Sequence, residues 1–258
     1  MKISAAITLT ALALPLFSTS PTAHAAQAQL NYEHKANPRP FKGKAKLRAM
    51  RRSTSLYTLT VVYPQFLQNT RLTRFANSEL RKKANMKYSG FLKNFKTDLS
   101  VGNVRKELPY EYSDLPFLEH YVPSRLISTS VFHAQYLGGV HGMEGTYTTN
   151  FGFLPGMKAP KVLTLGDLFT GSTYRKDVEQ KLFAKVRADK RGVPSFVQDG
   201  TVKSLGTNQL NNFTVSSKGL TWYFPPYQLG SYAEGEQEIT LSPDELGPNF
   251  KRALVLGE

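Results

Sequence analysis

At 258 residues, with 40% hydrophobic and 12% aromatic side chains, the chain is long enough for a packed core and ordinary for a globular protein. It has no cysteine, which excludes disulfides, a lipid-modified N-terminal cysteine and thiolate-bound zinc. The net charge of +14 is uneven, since residues 26–120 carry +11 and residues 121–258 only +2.

Residues 1–25 read as a secretory signal peptide. Lys2 precedes an apolar run from Ile3 to Phe17, and Ala23-His24-Ala25 gives the small-x-small cleavage pattern. The run is short and holds Pro15, and no later segment is apolar enough to span a bilayer, so no transmembrane anchor is expected. The mature protein is expected to be secreted or periplasmic. Residues 26–52 read as a basic, mobile arm, because 35–52 hold eight cations, two prolines and no acid. Export argues against nucleic acid as its partner. An anionic envelope polymer, a lipid headgroup or no dedicated partner all fit the charge.

Ser55–Phe66 (SLYTLTVVYPQF) reads as the first strand, ending near Pro64. Leu72, Phe75, Ala76, Leu80, Ala84, Tyr88, Phe91, Leu92 and Phe95 then recur at helical steps, with Asn69 or Thr70 as cap. The other face of that helix, from Arg71 to Lys93, carries seven cations including Lys83 and Lys87, and reads as solvated. Strand-like sequence runs from about Leu108 to Phe153. Within it Arg125–Tyr136 and Gly145–Leu154 flank an eight-residue glycine loop. A second helix follows LTLGDLF, capped by Ser172 and buried through Tyr174, Val178, Leu182 and Val186. NNFTVSSKGLTWYF predicts a hairpin with its tip at Ser217-Lys218-Gly219, and QEITLS a last strand. This order predicts an α+β fold, mainly antiparallel, with one long N-terminal helix and one later helix. The division expected is a lobe over 53–125 and a domain over 126–258.

Common catalytic motifs are absent: no G-x-S-x-G, S-x-x-K, H-E-x-x-H or Walker loop occurs. YLGGVHGMEG (136–145) is the stretch with chemistry in it. His141 and Glu144 can act as an acid/base pair on a pocket lip, or His133, His141 and Glu144 as a two-histidine, one-carboxylate metal site. The competing reading is a hairpin loop whose glycines satisfy backbone geometry. Downstream, PPYQLGSYAEG offers Tyr227 and Tyr232 beside Tyr223, as aromatic faces for a sugar ring or a protein, or as plugs for the sheet end. The candidate ligand-contact set is therefore Tyr136, Gly139, His141, Glu144, Tyr223, Tyr227 and Tyr232, with no cofactor expected.

Taken together, YLGGVHG, TYTTNFGF and LTLGDLF resemble a block of the RsiV-like bacterial envelope domains. Tyr223, Phe224, Pro226, Tyr227, Tyr232, Gly235 and Leu241–Leu246 resemble the C-terminal pattern of that family. VVYPQF with the long helix is similar to the companion domain seen beside it and attached to a peptidoglycan deacetylase. The resemblance covers roughly residues 55–248. It implies an exported α+β envelope module, elsewhere a sensor ectodomain that binds lysozyme, and it brings no catalytic residues. The expectation is a non-catalytic module that binds an anionic wall polymer, a glycan or an extracytoplasmic protein. A glycan or peptide hydrolase using His141 and Glu144, or a sensor or inhibitor of a lysozyme-like enzyme, stand as alternatives. The oligomeric state is not legible.

Overall fold

The computed structural model describes residues 41–256, apart from Pro123 and Pro155. The expected signal peptide and the first part of the expected arm lie outside the described residues. Ala45–Ser53 forms β1, which runs antiparallel to β2 (Tyr57–Phe66) over nine positions. This corrects the arm for residues 45–52. An edge strand with solvent on most of its surface shows no apolar alternation, so its cations masked it. Pro64 sits within β2, beyond the four positions at which β2 pairs its other neighbour, so its missing N–H breaks no ladder there.

Thr70 caps α1 (Arg71–Ser100), accepting from the Thr73 backbone N–H, while the Thr73 hydroxyl accepts from the Thr70 N–H. Leu72, Ala76, Leu80, Ala84, Phe91 and Phe95 are buried at the expected spacing. The helix is a crossover, because β2 pairs in parallel with β3 (Tyr110–Val122). β3, β4 (Leu126–Tyr136), β5 (Met143–Gly152) and β6 (Lys161–Leu163) then continue antiparallel, giving a six-stranded sheet in chain order. The 125/126 division falls in the turn between β3 and β4, so both segments contribute to one sheet.

The second helix, α2, is Tyr174–Arg187 and its cap is Thr173, not Ser172. The Thr173 hydroxyl donates to Asp177 in the first turn at 3.1 Å. β7 (Phe213–Ser216), β8 (Gly219–Phe224) and β9 (Gln237–Leu241) form a three-stranded antiparallel sheet. Gly219 has φ +115°, and a Cβ there would lie 2.1 Å from the Leu241 carbonyl oxygen, so the hairpin needs glycine. Phe213, Val215, Leu220, Trp222 and Phe224 are all buried, and the Trp222 Nε1–H donates to the Leu210 carbonyl. One core lies between this sheet and α2; two others lie between α1 and the large sheet.

The two sheets are joined by a seam of side chains. β6 pairs β5 only at 150–152, which leaves the edge of β5 from 143 to 149 without a strand. Asn212 fills that place. Its Oδ1 accepts from Thr148 N–H at 3.0 Å and its Nδ2 donates to Thr146 O at 2.8 Å, the pattern of a parallel neighbour opposite Tyr147. Asn150 donates to Phe213 O, and the Ser128 hydroxyl links Asn150 to the Val215 N–H.

Candidate functional site

The glycine loop is shorter than its sequence indicates. β4 ends at Tyr136 and β5 begins at Met143, so six residues, 137–142, connect them. Gly138 takes φ +75°, and a Cβ on Gly142 would sit 3.0 Å from the Gln135 carbonyl oxygen; those two positions answer backbone geometry. Tyr136 is buried and its hydroxyl donates to the Gly139 carbonyl at 3.0 Å, so both are engaged in bracing the loop. Glu144 lies on β5, opposite Ala134.

His141 is exposed and stands at the centre of an aromatic surface. Its ring stacks on Tyr232, with centroids 3.9 Å apart and planes at 22°, and lies 6.4 Å from the Tyr227 ring. Tyr227 and Tyr232 are 6.0 Å apart at 32°. The His141 Nδ1 is 2.7 Å from the Gly142 carbonyl oxygen, which can only accept, so Nδ1 carries the proton. In the neutral ring Nε2 then accepts from the Tyr227 hydroxyl at 3.2 Å. Both ring nitrogens thus have partners, which fixes the orientation of the ring between the two tyrosines.

Tyr227 is the only non-glycine residue with positive φ (70°) among the described residues. Its loop is closed by Tyr227 N–H to Gly230 O at 3.0 Å and Gln228 N–H to Pro225 O at 3.1 Å. A left-handed tyrosine carries strain, and such strain concentrates at binding sites. Tyr227 also borders an open depression lined by Gly200, Thr201, Lys203, Ser204 and Gln228. Leu137, Val140 and Met143 are exposed around the loop, Val140 fully.

Two carboxylates hold the downstream loop in place. Glu236 accepts from the Thr146 N–H and hydroxyl; burial pushes its carboxyl pKa up, outweighing those hydrogen bonds. Gly145 makes this docking possible, since a Cβ there would lie 2.6 Å from Pro225 Cβ. Burial, then the charge of Glu144, raises the Tyr232 hydroxyl pKa, keeping it neutral at physiological pH. Glu234 accepts from the hydroxyls and backbone N–H groups of Ser195 and Ser231, one residue before Tyr232. These bonds, the Ser195 hydroxyl first, bring its pKa from 4.5 down to about 2. A depressed carboxylate stabilises the fold above its unfolded pKa and loses that contribution as pH falls. The melting-temperature gap between wild type and Glu234→Gln is therefore expected to be widest above pH 4.5 and to close towards pH 2. A gap constant with pH refutes this anchor.

His133 belongs elsewhere, and the candidate metal triad with His141 and Glu144 does not form. The His133 Nδ1 meets Asp114 Oδ1 at 3.1 Å, and the Lys87 ammonium contacts both Asp114 oxygens at 3.0 and 3.1 Å. Among the described residues no group of three histidine, aspartate or glutamate side chains can hold a metal ion. Lys87 and Lys83 therefore turn towards the sheet, not into solvent. The Lys83 ammonium donates to the Thr149 hydroxyl at 2.7 Å, and burial, with Lys87 adding repulsion, lowers its pKa. Asp114 was detectable in the sequence: Tyr110, Tyr112, Asp114 and Leu118 share the buried face of β3 by strand period, and a carboxylate there requires partners. Tyr223 is half-buried on β8, its hydroxyl pKa raised chiefly by burial. The 200–204 loop gave no sequence signal beyond polarity.

The strand–loop–strand order and the aromatic loop are where comparison with known proteins bears. Residues 166–244 match the family model of DUF3298, a protein of unknown function. The matched segment contains α2, the small sheet, Tyr227 and Tyr232, but not His141. The fold is similar to the crystal structure of a DUF3298 family member from Bacteroides fragilis NCTC 9343, at TM-score 0.54 and 17% identity. It is also similar to that of a DUF3298 family protein from Pseudomonas aeruginosa PAO1, at TM-score 0.58 and 13% identity. Each similarity covers 81% of this chain and 96% of the other. At these identities the shared property is the fold. No curated protein matches the sequence. Among the described residues no helix is long and apolar enough to cross a membrane.

Proposed function

We propose that this protein is an exported, non-catalytic binding module of the bacterial envelope, which holds a wall glycan on the His141–Tyr227–Tyr232 surface. The observation that carries this reading is the convergence of two loops, 86 residues apart in the chain, into a cluster of three rings, His141 and Tyr227 exposed and Tyr232 half-buried, joined by a tyrosine–histidine hydrogen bond. Sugar rings present C–H faces that pack on such a platform, and the hydroxyl-rich 200–204 depression beside Tyr227 supplies donors and acceptors for substituents. The resemblance to RsiV-like envelope domains and the signal-like N-terminus support the compartment. A protein ligand is the second reading, favoured by Leu137, Val140 and Met143, an apolar rim of the kind that anchors protein interfaces.

Co-sedimentation with purified peptidoglycan at high salt, where charge attraction is screened, tests the glycan reading. Wild type is expected to pellet with the wall, and Tyr232→Ala to bind at least tenfold more weakly, about 1.4 kcal/mol. Equal pelleting of the two proteins, or none by wild type, overturns it. Release of soluble fragments by wild type but not by His141→Ala overturns the non-catalytic part.

A further inference from the structure

The cations of β1 and α1 do not simply coat the surface; they meet across an open groove of 1040 Å³ between the edge of the large sheet and the helix. Arg48 from β1 and Arg81 and Lys82 from α1 stand at its walls, exposed, with Tyr63, Tyr88 and Met86 also lining it. No lining residue is acidic. Among the described residues none of these three cations has a carboxylate within ion-pair distance, and Arg48 bonds only the neutral Gln65, at 2.6 Å. By contrast Lys87, five residues beyond Lys82 on α1, is paired with Asp114. Lys46, Arg48 and Arg52 also fall on one face of β1 by strand period, their steps multiples of about 7 Å, so the positive line extends past the groove in both directions.

We propose that this groove is a second binding site, which takes an extended polyanion whose anionic groups meet Arg48, Arg81 and Lys82 while the spacers between them lie on Tyr63, Tyr88 and Met86. A concave channel with cations on two walls fits a chain better than a bilayer, which needs a flat or convex apolar face. Unpaired guanidinium groups favour planar or tetrahedral oxyanions, so the repeating group is a phosphodiester or a carboxylate. The site rests on the envelope reading only for the compartment in which such a polymer is met.

The test uses fluorescein-labelled poly(glycerol phosphate), a phosphodiester chain, and poly-L-glutamate of equal length, titrated with the whole mature protein over a range of salt. The groove variant is Arg48→Gln/Arg81→Gln/Lys82→Gln. Its charge-matched control is Arg71→Gln/Lys93→Gln/Lys96→Gln, three cations of the same helix that do not line the groove. Both variants are first matched to wild type in melting temperature. The groove variant is expected to bind one or both polymers at least tenfold more weakly and to lower the log–log salt slope by about two. The control is expected to change affinity less than threefold, and the polymer with the larger loss identifies the anion. Equal losses in the two variants, or no loss in the groove variant, overturn the site. So does tighter binding of phosphatidylglycerol vesicles than of either polymer. Neither polymer offers a sugar ring to the Tyr232 surface, so this result and the peptidoglycan result stand or fall separately.

Discussion

Gly145→Ala is expected to pull the two loops of the candidate site apart. The new Cβ would lie 2.6 Å from Pro225 Cβ and 2.7 Å from Pro225 Cγ, distances that require movement, and a proline ring on a closed turn has little freedom to give. The retreat of Pro225 would take with it the loop that carries Tyr227 and Tyr232 and would strain the contact of Glu236 with Thr146. Overpacking of this kind costs about 1–3 kcal/mol. Urea unfolding is expected to show that loss, and peptidoglycan binding to fall at least as far as in Tyr232→Ala. Gly139→Ala is the control. Its nearest atom would be 3.9 Å away, so the same added methyl is expected to change stability by no more than about 0.5 kcal/mol. If the two alanines behave alike, steric docking through Gly145 is wrong.

The second large effect concerns Asp114. Its side chain is 2% exposed and accepts from Lys87 and His133. Removing one partner of a buried pair leaves a charge without compensation, at about 3–5 kcal/mol. Lys87 keeps a third of its surface in water and can swing outwards, so Asp114→Ala is expected to cost less than that, about 2–3 kcal/mol. Lys87→Met combined with Asp114→Leu is expected to recover most of that loss, because both charges go and apolar volume replaces them. A double variant no more stable than Asp114→Ala shows that the network is needed for shape and not for charge balance.

How much of this was legible beforehand depends on the range of the interaction. The Thr70 cap, the α1 stripe, the β4–β5 and β7–β8 hairpins and the aromatic alternation of Phe213, Leu220 and Trp222 all arise within a few residues of one another, where period and turn chemistry are sufficient. β1 is hidden because its signal is exposure: four cations in nine residues, with no acid among them, read as a chain that repels itself until its pairing partner is known. The parallel β2–β3 pair was hidden by its helix-length connection. At the site, Tyr227, Tyr232 and His141 each stood out locally. Their contact depends on Gly145, Pro225 and Glu236, which no local pattern joins. The eight residues between His133 and His141 left open whether they meet, and the strand settles it by turning His133 to Asp114 on β3.

The side-chain seam at β5 bears on self-association. With Asn212 and Glu236 engaging Thr146 and Thr148 on that edge, a strand from another molecule finds those two N–H groups already taken, and β6 offers only three residues. Among the described residues the long open edge of the large sheet is then β1. A second copy approaching it would bring the same row of arginines and lysines against its twin, so the molecule resists polymerising through its own sheet while leaving that edge attractive to anything negatively charged.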